Sequence, residues 1–125
     1  MIARMSRRDG QGRAALRAFF RLADSWSLTA EEQRALLGVS ADDLKVWRHG
    51  GGSTPEDEIL TRIAELLRIF AAINSLLPLR DRAAAWMRKP NKAPLFDHRS
   101  ALDLMMSDPA SNLPQVRRYL EAQLR

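Results

Sequence analysis

Residues 54–77 read TPEDEILTRIAELLRIFAAINSLL, the longest helical pattern in the chain. Thr54 and Pro55 have the residue types of an N-cap and a first helical position. Pro78 ends the pattern. About 23 residues with a rise of 1.5 Å each predict a rod of roughly 34 Å. Its apolar side chains recur at three- and four-residue steps: Ile59, Leu60, Ile63, Leu66, Leu67, Phe70, Ile73 and Leu77.

This apolar stripe is too wide for one flank of neighbouring helices to cover, because Ile69, Leu76 and several alanines broaden it. We therefore expect the helix of residues 54–78 to pack on its own chain with one side and on a second copy with another. An ordinary core helix is the alternative interpretation. The residues expected to form the homodimer are Ile59, Ile63, Leu66, Leu67 and Phe70.

Composition predicts an all-α protein. Hydrophobic residues make up 46 % of the 125 positions, and no Val, Ile, Thr or Tyr run alternates with period two. The chain has no cysteine, which excludes disulfides and thiolate metal sites and fits a reducing cytoplasm. No apolar run approaches the roughly 18 residues of a membrane span, and no export signal follows the basic N-terminus. We expect a cytoplasmic protein with no membrane contact.

Positive charge is concentrated at both ends of the chain. The net charge is +5, and the segments 1–50, 51–78 and 79–125 carry +3, −2 and +4. Basic ends suit a polyanion or an acidic protein as partner, although a basic surface is also a common means of staying soluble.

The N-terminal residues 1–12 are polar and basic and include two glycines. They predict either a mobile arm or the loosely held start of the first helix. That helix is expected from about Arg13 to Ser25. Arg13, Arg17 and Arg21 follow one another at four-residue spacing on its outer side, which is most simply a solvated face.

Residues 13–53 carry a helix-turn-helix pattern. Thr29 and Glu32 have the spacing of a capping box, and Gly38 ends the short helix that follows them. Ser40 then caps a second short helix through Trp47. Two short helices joined by a tight turn with glycine are typical of DNA-binding motifs, but helical proteins that do not bind DNA contain the same spacing.

Some charged residues of this motif favour DNA binding and others oppose it. The second helix opens with Asp42 and Asp43, whose carboxylates suit the helix dipole but oppose a phosphate. The cations expected to contact operator DNA are Arg34, Lys45, Arg48 and His49.

Residues 79–125 predict three more helices separated by proline-containing breaks. One begins near Leu79 and ends before Pro90, and a short one is capped by Ser100. The last is expected to be capped by Asn112, with Pro114 in its first turn. The apolar side chains that this last helix should bury are Leu113, Val116, Tyr119, Leu120 and Leu124.

Several motifs, in this order and spacing, resemble the antitoxins of the Xre/MbcA/ParS type over roughly residues 14–125. The family pattern usually has proline where this chain has Ala101, and a glycine in the loop where it has Asp97, His98 and Arg99. The motifs are LLGVS at 36–40, the long helix, WMRKPN at 86–91, LF at 95–96, SALDLM at 100–105, Val116, and YL at 119–120.

This resemblance implies an Xre-like helix-turn-helix followed by a toxin-binding region at residues 79–125. It implies a partner toxin of the RES class, whose members resemble ADP-ribosyltransferases and consume NAD. The antitoxin would be dimeric, would cover the active site of the toxin, and would repress its own promoter. The residues expected to bind the toxin are Trp86, Asn91, Phe96, Arg117, Arg118, Tyr119 and Arg125.

Enzyme chemistry is not indicated. His49 and His98 lie in separate segments without neighbouring ligands at metal spacing, and the glycines at 50–52 have no lysine after them. We therefore expect no catalytic residue, no metal and no cofactor. The alternative function is a stand-alone helix-turn-helix repressor whose C-terminal half dimerises or senses a ligand.

Overall fold

The computed structural model describes residues 7–125 and folds them into seven α-helices, with no strand in that part of the chain. An isolated antiparallel bridge joins Pro90 to Ser100. The all-α prediction is therefore confirmed. The helices are α1 (Arg7–Ser25), α2 (Ala30–Leu37), α3 (Ala41–Arg48), α4 (Asp57–Leu76), α5 (Arg80–Arg88), α6 (Ala101–Ser107) and α7 (Pro109–Gln123).

The predicted long helix is α4, and it lies at the centre of the molecule. Its 20 residues span about 30 Å. It packs along α7 and α1 and also touches α2 and α5. The side chains that it buries completely in these contacts are Ile63, Leu66, Ile69 and Ile73.

The start of α4 differs from the prediction. Its N-cap is Glu56, which makes no side-chain capping hydrogen bond, and Pro55 is buried ahead of the helix. The hydroxyl of Thr54 instead donates to the carboxylate of Asp9 in α1. The prediction of a Thr54 cap was wrong because a side chain distant in sequence takes up this hydroxyl.

The first helix begins at Arg7, before the predicted Arg13. Gly12 lies inside this extension and is buried, and a Cβ there would stand 2.8 Å from Cγ2 of Thr54. Residues 7–12 are thus the start of the helix and not a mobile arm. The remainder of the predicted arm, residues 1–6, lies outside the described residues.

The helix-turn-helix consists of α2 and α3, with the predicted caps in place. The side chains and backbones of Thr29 and Glu32 exchange the two hydrogen bonds of a capping box. Gly38 ends α2 with φ at +71°, and the Ser40 hydroxyl accepts from the amide of Asp43 at 3.0 Å.

An ion pair ties α5 to the start of α2. Arg88 donates to both carboxylate oxygens of Glu32 at 2.8 Å and to the carbonyl of Ser27 at 2.8 Å. These hydrogen bonds lower the pKa of Glu32 and raise the pKa of Arg88. The capping box that opens the helix-turn-helix therefore also anchors the C-terminal region.

The last helix begins at Pro109, ahead of the predicted start, so Pro114 lies inside it. The amide nitrogen Nδ2 of Asn112 donates to the carbonyl of Leu104 at 2.8 Å and to the hydroxyl of Ser107 at 3.2 Å. The prediction of an Asn112 cap was wrong, because this side chain joins α7 to the preceding helix instead.

Two glycines after α3 provide a matched test of the packing around Trp47. Gly50 and Gly52 have φ of +86° and +84°, so alanine at either site carries a similar strain of about 1–2 kcal/mol. A Cβ at Gly52 would lie 2.9 Å from the Trp47 ring, whereas none of the described atoms lies within 4 Å of one at Gly50. We expect Gly52→Ala to lower the free energy of unfolding clearly more than Gly50→Ala in urea titrations. Equal losses would contradict the described packing of Trp47.

Candidate functional site

Three of the predicted toxin-binding residues form one aromatic cluster. The ring of Phe96 meets Trp86 edge to face, with 5.8 Å between centroids, and meets Tyr119 in the same way at 5.0 Å. Trp86 and Tyr119 are half-buried, whereas Phe96 is 0 % exposed. The prediction that Phe96 contacts a partner is therefore wrong for this structure, since its ring is enclosed and supports the other two.

The aromatic cluster borders a concavity of about 310 Å³ at the C-terminal end of α4. Leu79 and Leu124 flank the lining residues in sequence and are 61 % and 48 % exposed. Leu124 was expected to point inward, and its exposure corrects that prediction, because it lies just beyond the last residue of α7. We use the name C-terminal apolar face for Leu76, Leu77, Trp86 and Tyr119 of this concavity, together with Leu79 and Leu124, which adjoin its lining residues in sequence.

Arg117 was expected to face a partner but is half-buried and paired with acids of its own chain. Its Nε donates to Glu65 in α4 at 2.5 Å and its Nη1 donates to Glu121 at 2.9 Å. Arg68 also donates to Glu121. The hydrogen bonds that Arg117 donates to Glu121 and Glu65 raise the pKa of Arg117, and the bond that Glu121 accepts from Arg117 lowers the pKa of Glu121. Arg117 thus fastens α7 to α4.

The other two predicted arginines, Arg118 and Arg125, are exposed. Both belong to the C-terminal end of the chain, which also contributes Tyr119 and Leu124 to the C-terminal apolar face. They place two positive charges near this face in sequence, where an acidic partner could pair with their guanidinium groups.

Asn91 organises the loop between α5 and α6. Its Oδ1 accepts from the amide of Ala93 at 2.9 Å, and its backbone pairs with Arg99 and His98. Asp97 and His98 have φ of +48° and +68°, the left-handed region that favours glycine. Residues with a Cβ adopt this conformation only at a cost, so the loop holds Asp97 and His98 in a strained backbone conformation.

The predicted dimer residues do not form one free surface. Ile63 and Leu66 are 0 % exposed and pack within the chain, so that part of the prediction is corrected. Ile59, Leu67 and Phe70 are half-buried. The ring of Phe70 also meets Trp26, with 5.8 Å between centroids.

The four residues predicted to bind DNA differ in their ion pairs within the chain and in their exposure. Arg34 pairs with Glu31 at 2.6 Å. Arg48 pairs with Asp24 at 3.3 Å and lies over the ring of Phe20 at 4.6 Å from its centroid. Lys45 and His49 are exposed, as are Asp42 and Asp43 at the opposite end of α3.

A concavity that the sequence did not predict lies between α1 and the end of α3. Its volume is about 450 Å³ and its floor is Leu16, Phe20 and Trp47. The four-residue spacing of the α1 arginines was visible in the sequence, but the packing of α1 on α3 was not. We call this concavity the basic groove, and its charged or titratable lining residues are Arg13, Arg17, Arg21, Asp24, Arg48 and His49.

The described residues 7–125 contain no group of three or more His, Cys, Asp or Glu that could hold a metal ion. Within the same range, no helix is both long and apolar enough to cross a membrane.

Comparison with known proteins covers almost the whole chain. Residues 10–71 match the antitoxin Xre-like helix-turn-helix domain, and residues 74–124 match the antitoxin Xre/MbcA/ParS C-terminal toxin-binding domain. The uncharacterized protein y4oB of Sinorhizobium fredii is 40 % identical over 111 residues, which are 88 % of this chain and 84 % of that protein.

A solved structure has the same architecture. A chain of the crystal structure of the M. tuberculosis MbcT-MbcA toxin-antitoxin complex superposes with a TM-score of 0.62 and 26 % identity, over 86 % of this chain and 90 % of that one. The C-terminal apolar face lies entirely within the matched toxin-binding domain. The chain belongs to the Xre/MbcA/ParS antitoxins, a non-enzymatic family that joins an Xre-like helix-turn-helix domain to a C-terminal toxin-binding domain.

Proposed function

We propose that this antitoxin neutralises a cytoplasmic RES-class toxin by docking its C-terminal apolar face over the NAD-consuming active site. The observation that carries the proposal is the position of this face. Two of its large apolar side chains, Leu79 and Leu124, are strongly exposed, and the whole face lies inside the matched toxin-binding domain.

The aromatic cluster suits such a docking surface. Trp86 and Tyr119 are half-buried and are both supported by the enclosed ring of Phe96. Aromatic anchors held in this way lose little side-chain entropy on binding and are frequent among the residues that dominate interface energy. Arg118 and Arg125 would add contacts to acidic groups of the toxin.

Two further parts complete the proposal. A homodimer would form through an edge of α4 whose residues repeat at four- and three-residue steps: Leu60, Ala64, Leu67 and Ala71. All four are exposed or half-buried, and the strip includes Leu67 from the set predicted to form the dimer.

The dimer, bound to the toxin, would then repress its own promoter through α2 and α3. A helix-turn-helix dimer suits the two half-sites of a palindromic operator.

Toxin docking is tested by Leu124→Asn, with Val46→Asn as the matched control. The two residues are 48 % and 46 % exposed, but Val46 lies in α3. We expect Leu124→Asn to weaken toxin binding at least ten-fold, about 1.4 kcal/mol, in calorimetric titrations with the RES protein encoded beside it. Val46→Asn should leave the affinity unchanged.

Equal affinities for wild type and Leu124→Asn would argue against docking through this face. If no adjacent RES protein co-purifies with the antitoxin, and the antitoxin alone binds a palindromic operator tightly, the chain would be a stand-alone repressor.

The dimer is tested by Leu67→Lys, with Thr61→Lys as control. Both changes place a lysine on α4, but Thr61 is exposed about 90° around the helix axis from the middle of the proposed strip. Burying the lysine ammonium between two copies is costly, so Leu67→Lys should shift the mass in sedimentation equilibrium from dimer to monomer. A dimer that survives Leu67→Lys as well as it survives Thr61→Lys would place the interface elsewhere.

A further inference from the structure

The basic groove brings together cations from two helices that are separate in sequence. Arg13, Arg17 and Arg21 come from α1, and Arg48 comes from the end of α3. Four residues of helix rise about 6 Å, so the three α1 arginines extend over about 12 Å. That length corresponds to the rise of about three to four nucleotides along one strand of duplex DNA.

The one acid among the described lining residues offsets only one of the four arginine charges. Asp24 is paired with Arg48 at 3.3 Å. Arg13 is directed across the groove, since its Nη1 donates to the carbonyl of Gly50 at 2.5 Å. Arg17 and Arg21 are exposed, and no ion pair within residues 7–125 engages either of them.

The two ends of α3 carry opposite charges, and this difference determines which end can approach a phosphate. Asp42 and Asp43 are exposed in its first turn and repel phosphates there. The basic groove adjoins the opposite end, where Arg48 is held over the Phe20 ring. A polyanion that approaches this helix-turn-helix is therefore attracted to the α1 side of α3 and not to the start of α3.

We propose that the basic groove is the site at which the sugar-phosphate backbone of duplex DNA is held, with Arg17 and Arg21 as its main phosphate contacts. This inference rests on the DNA-binding part of the proposed function and adds where the backbone lies. Contacts to phosphates are independent of base sequence. They would position α3 on the DNA but would not determine which operator sequence is bound.

The test compares the double variant Arg17→Gln/Arg21→Gln with Lys92→Gln/Arg99→Gln, in the full chain bound to its toxin. Both remove two exposed positive charges, but the control pair lies in the loop between α5 and α6, outside the C-terminal apolar face. Affinity for two duplex DNA fragments of equal length, one from the region upstream of the gene and one unrelated, is measured by fluorescence anisotropy between 50 and 200 mM salt. A duplex RNA of the same length is titrated in parallel.

We expect the groove variant to bind both DNA fragments at least ten-fold more weakly and to reduce the slope of log K against log salt by about 1–2, since each phosphate contact contributes about 0.9. Arg17→Lys/Arg21→Lys, which keeps the charge, should restore most of the affinity. The control pair should change neither quantity.

Unchanged slope and affinity in the groove variant, while the wild-type complex binds DNA, would overturn the groove assignment and leave the proposed repression intact. If the wild-type complex binds neither DNA fragment, the repression itself fails and the groove assignment fails with it. A loss confined to duplex RNA would overturn the assignment in favour of an RNA site. Toxin neutralisation by the groove variant should match wild type in every case, which shows that the variant is folded.

Discussion

The structure depends on the burial of one face of α4 between helices from both ends of the chain. Ile63, Leu66, Ile69 and Ile73 are inaccessible because α1 covers the helix on one side and α7 on the other. Each large aliphatic side chain of this kind contributes about 1.5–3 kcal/mol when fully buried. The helix-turn-helix and the toxin-binding domain therefore share a single core, and neither half keeps its packing if α4 is removed.

Polar contacts between the two halves reinforce this core at specific points. Arg117 joins α7 to Glu65 in α4, and Arg88 joins α5 to Glu32 in the capping box of α2. These paired charges orient the helices more than they stabilise them, since ion pairs near a surface contribute only about 0–1 kcal/mol each. A toxin that docks beside Trp86 would thus contact α5, the helix whose last residue, Arg88, is bonded to the start of the helix-turn-helix.

Sequence periodicity predicted the helices well because local spacing determines amphipathic faces and caps. The Thr29 capping box, the Ser40 and Ser100 caps and the end of α4 ahead of Pro78 needed no tertiary information. The wrong predictions concern side chains whose contacts are made with residues distant in sequence. Thr54 bonds to Asp9, and Arg117 pairs with Glu65 of α4. Ile63 and Leu66 are buried in the chain's own core. The basic groove was missed for the same reason, since it exists only where α1 meets α3.

The most direct test of toxin docking through the C-terminal apolar face is hydrogen–deuterium exchange of the antitoxin with and without the proposed RES-class toxin. Toxin binding is expected to slow exchange of backbone amides at residues 76–88 and 116–124, which carry the C-terminal apolar face, and to leave residues 41–48 of α3 exchanging at their free rate. Protection confined to α2 and α3, with the C-terminal residues unchanged, would contradict it.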